Sequence, residues 1–208
     1  MDGPIPGLSC MAVFPNFLRK VALVSLAVST ISVPVLSGTA SAAPAAPAAP
    51  AAVVKAPALS PAAKMFMRRD RDTVCVNAHV QNIGWQGWRC SGDRRPALAG
   101  TVGRSLRLEA LSISTRRTGG VCAQAHVQNI GWQRSQCTGR TGSVTVGTEG
   151  RSLRLEALRL STWSGLCAQG HVQNVGWQNW QCTSRRSSQI EVGTVGKSLA
   201  LEALRVRV

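Results

Sequence analysis

Tyrosine is absent from this 208-residue chain, and three Phe and six Trp are its whole aromatic content. Repeats with so few rings need another source of support. Acidic residues are also scarce, nine against 24 Lys plus Arg. They are either a repeated Glu or scattered singles, so paired carboxylates for glycoside hydrolysis would have to come from different repeats, and symmetry would then require three such pairs. Neither G-x-S-x-G nor H-E-x-x-H occurs, and with them goes the usual basis for a hydrolase. The close C-x2-C pairs of zinc sites are missing too. We therefore expect no enzyme, no cofactor and no metal. The apolar run over residues 21–36 is short for a bilayer and is interrupted by Ser, Thr and Pro.

That run does fit a secretory leader. Arg19 and Lys20 precede it, and Ala40-Ser41-Ala42 supplies the small-x-small pattern of a signal-peptidase site. The pattern predicts a signal peptide over residues 1–42, with Met11 as an alternative start that would remove Cys10. The mature chain would then be secreted, with no membrane span, and extracellular or associated with a cell wall. Residues 43–64 are almost all Ala and Pro, which predicts a semi-rigid, unpacked spacer. With the basic "RRDRD" leader it makes a linker over 43–74, ahead of a folded domain over 75–208. Cleavage removes Asp2, Arg19 and Lys20, leaving 22 basic and 8 acidic residues, a formal +14. Such a charge attracts polyanions over a Debye length of about 8 Å. No docking element for specific nucleic-acid recognition accompanies it.

What is abundant is repetition. "HVQNIGWQ" stands at 79–86 and 126–133, and "HVQNVGWQ" at 171–178. The repeats run from about 75 to 113, 122 to 160 and 167 to 206. Each contains two Cys separated by 15 positions. Fifteen pairings of six Cys are possible, and the regular spacing selects Cys75 with Cys90, Cys122 with Cys137 and Cys167 with Cys182. Each bridge would close a hairpin whose midpoint holds Asn and Gly, residues that tolerate positive φ, and each is worth about 3 kcal/mol in the chain-entropy model.

Alternation in "CVNAHVQN" places Cys75, Asn77 and His79 on one face of a strand and Val76, Ala78 and Val80 on the other. "GTVGRSLRLEALSI" and its two counterparts have good helix formers, but their short length and Gly flanks favour a strand. Leu106, Leu108 and Ala110 alternate in one phase, Leu111 and Ile113 in the other, so a bulge or bend is expected near Ala110. Three units of three or four strands each predict an all-β body with pseudo-threefold symmetry, either a β-prism or a β-trefoil.

The text "HVQNIGWQGW" followed by "AGTVGRSLRLEAL", with its counterparts, resembles the ChW repeat, the clostridial hydrophobic repeat with a conserved Trp found in secreted and surface proteins of Gram-positive bacteria. The resemblance covers nearly all of 75–206. It implies a module that binds extracellular substrates or proteins and carries no catalytic residues. The family usually has an aromatic residue just before the His segment, where this chain has Val76, Ala123 and Ala168. The second Trp of the motif is Trp88 and Trp180 in repeats one and three but Ser135 in repeat two.

His79, His126 and His171 are expected to hold a turn or to meet Glu109, Glu156 and Glu202, since a buried charge requires a partner. A ligand-binding role, or a three-His metal site on the axis, is the alternative. Trp85, Trp132 and Trp177 read as core residues closing each hairpin. Trp88 and Trp180, with Trp163 in the connector "STWSG", are candidates for exposed sugar platforms. Gln86, Gln133 and Gln178 would supply amides for sugar hydroxyls. The expected partner is a cell-wall or other extracellular polysaccharide, with a surface protein as the alternative.

Overall fold

A computed structural model describes residues 54–55, 57–68, 71–92, 95–183 and 188–208. The leader expected over 1–42 lies outside them. Each repeat contributes five strands. The first supplies β1 (Thr73–Val80), β2 (Gly84–Trp85), β3 (Arg89–Cys90), β4 (Ala97–Gly100) and β5 (Leu108–Arg116). The second supplies β6 (Val121–Val127), β7 (Gly131–Trp132), β8 (Gln136–Cys137), β9 (Ser143–Gly147) and β10 (Leu155–Thr162). The third supplies β11 (Cys167–Val172), β12 (Gly176–Trp177), β13 (Gln181–Cys182), β14 (Ile190–Gly193) and β15 (Leu201–Arg207). Three or four per repeat were expected; the two-residue ladders beside each Trp-bearing turn are too short to leave an alternation signal.

Local chemistry accounts for these elements. Val74, Val76, Ala78 and Val80 of β1 face the core, and Cys75, Asn77 and His79 take the other side, as alternation predicts. Asn82 and Gly84 turn the hairpin at φ values of 61° and 80°. All three disulfides form as expected, each joining residues directly opposite one another in a ladder. The Leu-rich segments are strands from Leu108, Leu155 and Leu201 onward, whereas Leu106 packs against the core from a loop. The expected bulge falls one residue before Ala110. His79 pairs with Ala110 and Val80 with Leu108, so Glu109 is the extra residue, as are Glu156 and Glu202 in the other repeats.

Strand exchange assembles the three sheets. Each holds four strands of one repeat and one of the next: β9 pairs with β5, β14 with β10, and β4 with β15. The last pairing sets Ala97 to Gly100 of the first repeat against Val206 to Ala203 of the third, closing the ring. Among the described residues the strands form three separate sheets and no closed barrel, which is the prism arrangement and not the trefoil. The inner faces share one core of Val, Ala, Leu and Ile from all three repeats.

Part of the stretch expected as an unpacked spacer, residues 61–64, is helical and packed; most of the rest lies outside the described residues. Residues Pro61–Arg68 form a helix, α1, that buries Ala63 and Met67 and packs against β1 and β3. Ser60 caps it, its Oγ accepting the Ala63 N–H at 3.2 Å, and Pro61 takes the first helical position, where its missing N–H costs nothing. Proline there starts a helix instead of preventing one.

Candidate functional site

The octapeptide builds the same arrangement on the outer face of each sheet. In the hairpin register His79 faces Trp85, His126 faces Trp132 and His171 faces Trp177. Residues directly opposite in a ladder share a face, so the rings meet edge to face, with centroids 5.4, 5.2 and 5.1 Å apart. These indoles are therefore half-buried on the outside, a correction to their expected place in the core. The same register excludes a three-His site on the axis, because each His points away from the core face of its strand. Among the described residues no group of His, Cys, Asp and Glu is placed to hold a metal ion.

The bulged Glu lies behind each His. Oε2 of Glu109, Glu156 and Glu202 is 3.3, 3.0 and 3.1 Å from Nδ1 of His79, His126 and His171. None of these Nδ1 atoms makes a well-directed hydrogen bond, so each is a close approach of ring and carboxylate without hydrogen-bond geometry. The second carboxylate oxygen is held by Arg107 at 2.9 Å in repeat one and by Arg154 at 2.8 Å in repeat two. Ala200 occupies that position in repeat three. The pairing of His with Glu that the sequence anticipated is thus present three times.

The three faces differ in what covers the indole. Arg159 lies 3.9 Å over Trp132 and Arg205 lies 4.0 Å over Trp177, a favourable placement of a cation on a ring face. Both Arg stand opposite an outward Gln in the ladder, and in repeat one that place belongs to Ser112. Ser112 is buried and bonded to Thr145, so among the described residues no guanidinium from β5 covers Trp85. Repeat one also receives Glu149, whose Oε1 is 3.9 Å from His79 Nε2; Val102 and Val195 are its counterparts in the sequence. Sequence reading missed these Arg and Glu residues. The contrast of "EALRL" and "EALRV" with "EALSI" was the available signal for the two cations.

The Gln residues have a different occupation from the expected one. Gln133 Oε1 accepts the Gly147 N–H at 2.7 Å while its Nε2 donates to Gly147 O at 2.9 Å. Gln178 holds Gly193 in the same way, and Gln86 Oε1 accepts the Gly100 N–H. Each Gln therefore clasps an exchanged strand that belongs to the neighbouring sheet. Trp88 and Trp180 are half-buried. Trp88 Nε1 donates to Ala58 O at 3.0 Å, and Arg207 lies 4.8 Å over the Trp180 ring. Trp163 stands apart from the repeats, 65% exposed in the connector between β10 and β11.

Three disulfide-stapled repeats of this kind define an all-β repeat module, and the disulfides fit an extracellular protein. The family model described as Clostridial hydrophobic W matches residues 79–115, 126–161 and 171–208, more than half of the chain, and the protein belongs to that ChW family. Searches of curated proteins and of solved structures returned no match. No helix among the described residues is long and apolar enough to cross a membrane.

Proposed function

We propose that the protein is a secreted, non-catalytic binding module that recognises carbohydrate at a cell surface or cell wall. One observation carries this reading: the same half-buried indole stands on the outer face of every sheet, where core packing does not require it. An indole with one open face covers the apolar side of a pyranose, and neighbouring polar groups bond its hydroxyls. Trp85, whose ring partner His79 lies 3.9 Å from Glu149, lacks among the described residues the strand-borne Arg that lies over Trp132 and Trp177, and is the ring we favour for such a ligand. Trp88 and Trp180 extend the outer surface of repeats one and three. Several weak sites engaging one polymer would combine through avidity.

A second reading, a protein-interaction or adhesion module, is favoured by the exposed aliphatic residue in each hairpin turn, Ile83 at 43%, Ile130 at 37% and Val175 at 59%. With the Arg residues nearby these would anchor a protein surface.

Retention on purified cell walls and insoluble polysaccharides, compared at low and high salt, tests the first reading. Binding that survives high salt and yields to soluble sugar is the expected result. Binding that collapses with salt would mean that the formal +14 attracts any polyanion. Binding left intact by Trp88→Ala with Trp180→Ala in a folded protein would remove those two rings from the site. Retention abolished by trypsin treatment of the walls would favour the adhesion reading.

A further inference from the structure

The residues that maintain the threefold scaffold recur in every repeat, but one exposed ring does not. Trp163 has no Trp counterpart in repeat one, where "STRRTGG" replaces "STWSG", and among the described residues it is the one exposed aromatic side chain. It lines a cleft of about 520 Å³ together with Arg116, Arg117, Arg140, Thr141 and Ser164. That size is typical of small-ligand sites. Among the described residues three guanidiniums and no carboxylate border it.

The cleft is built, not incidental. The backbone N–H groups of Trp163 and Ser164 both donate to Thr118 O, at 3.1 and 3.2 Å, so the connector after β10 is clasped to the connector after β5. Thr118 is fully buried, and its hydroxyl donates to Gly120 O at 3.3 Å. Gly119 and Gly120 make this approach possible. A Cβ on Gly119 would lie 2.5 Å from the Trp163 Cβ, and one on Gly120 would lie 2.5 Å from Thr138 O and 2.7 Å from Gly139 O. The segment carrying Arg140 is therefore held against the same turn. Arg117 takes φ 63°, a left-handed conformation that a non-glycine residue seldom adopts. The Nε of Arg116 is buried without a hydrogen-bond partner among the described residues, a donor that an oxyanion could satisfy.

An exposed indole supplies a platform for the apolar face of a ring, and guanidiniums bind oxyanions through paired, charge-assisted hydrogen bonds. From this combination we infer that the Trp163 cleft binds an acidic glycan, a sugar ring carrying a carboxylate or phosphate. The inference rests on the carbohydrate reading above for the ring, and adds the charge of the ligand and a single-copy site outside the repeats. A neutral sugar would leave Arg116 and Arg140 unanswered, and a bare polyanion would leave the indole unused.

The test is titration of the full protein, at physiological salt, with an oligogalacturonate, with a neutral maltooligosaccharide of equal length, with inorganic polyphosphate and with a sugar phosphate, following indole emission and calorimetric heat. The oligogalacturonate or the sugar phosphate should bind at least tenfold more tightly than the neutral oligomer, and their ranking distinguishes carboxylate from phosphate. Trp163→Ala should weaken that binding about tenfold, the value of one lost aromatic contact. Arg140→Gln should weaken it too, whereas Arg104→Gln, an equal loss of charge in an exposed loop, should not. Trp163 and Arg140 are exposed, so both variants should fold, and intact disulfides with an unchanged unfolding midpoint verify that they do. Acidic-glycan binding unchanged by Trp163→Ala and by Arg140→Gln would overturn this site while leaving the carbohydrate reading standing. Polyphosphate binding as tightly as the acidic sugars, and equally well to Trp163→Ala, would reduce the cleft to a patch of charge. Failure of every glycan, acidic and neutral, would overturn both.

Discussion

Gln133 grips Gly147 by both backbone groups, accepting its N–H at 2.7 Å and donating to its carbonyl at 2.9 Å. Gln133 follows the Trp of repeat two, whereas Gly147 ends a strand that has crossed to the sheet of repeat one. One side chain therefore couples two sheets at the point where the chain leaves one for the other. Its recurrence as Gln86 and Gln178 explains why the octapeptide must end in Gln.

Removing this clasp should loosen the assembly without abolishing it. Gln133→Ala leaves two backbone groups of Gly147 to find water, and we expect a loss of about 2 kcal/mol, read as a lower denaturation midpoint. Gln178→Ala should behave alike. A loss below a few tenths of a kcal/mol in both would mean that the exchanged strands need no clasp.

Gly147 itself should be far less tolerant. It has φ 103°, and an added Cβ would lie 2.4 Å from Glu109 O and 2.7 Å from Ala110 Cα, backbone atoms that cannot move alone. Gly147→Ala should cost about 3 kcal/mol. Gly84→Ala is the control: its φ is 80° but nothing lies within 4 Å of the new methyl group, so about 1 kcal/mol is expected. Equal costs at the two positions would show that crowding at the sheet junction is unimportant.

The buried carboxylates should matter more than the exposed one. Glu156→Ala leaves Arg154 without its counter-charge in a site where Glu156 is only 5% exposed, and removes the carboxylate beside His126, so a loss of about 3 kcal/mol follows. Glu191, 42% exposed at its side chain and paired with Arg159, should cost less than about 1 kcal/mol when changed to Ala. Chemical denaturation of the two variants decides the order.

Each disulfide spans 15 positions. Replacing Cys122 and Cys137 together with Ser should cost about 3 kcal/mol, and reduction of all three bridges should lower the melting temperature by more than any single replacement. Indifference to reductant would leave the core as the sole source of stability.

Trp88→Ala should act locally. It removes the bond from Nε1 to Ala58 O and one wall of the surface near α1. Residues 57–68 should then exchange amide hydrogens and be cleaved by protease faster, while the three sheets stay protected. Unchanged exchange in that segment would show that α1 is held by Ala63 and Met67 alone.

Much of this molecule is legible locally. The hairpin at Asn82 and Gly84, the three Cys pairs, the inward Val and Ala of β1 and the bulge beside Ala110 all depend on residues within about 30 positions of each other, where alternation and turn chemistry act. The His–Glu pairing was also foreseeable, because the composition offers His few acidic partners. Trp163 could be marked as exposed from its place outside the pattern.

The sequence by itself therefore determined the repeat, its strands, its turns and its bridges. Tertiary structure alone decided the rest. Nothing local indicates that Ala97 pairs with Val206 or that Gln133 reaches Gly147 on another sheet, since those pairings depend on three repeats closing a ring together. Closure also decided the place of the tryptophans: Val, Ala, Leu and Ile fill the space between the sheets, and cross-strand register carries each indole outward with its His. Arg116 and Arg117 are neighbours in the sequence while Arg140 stands apart from them, and they line one cleft because two connectors and a loop are drawn together over Gly119 and Gly120.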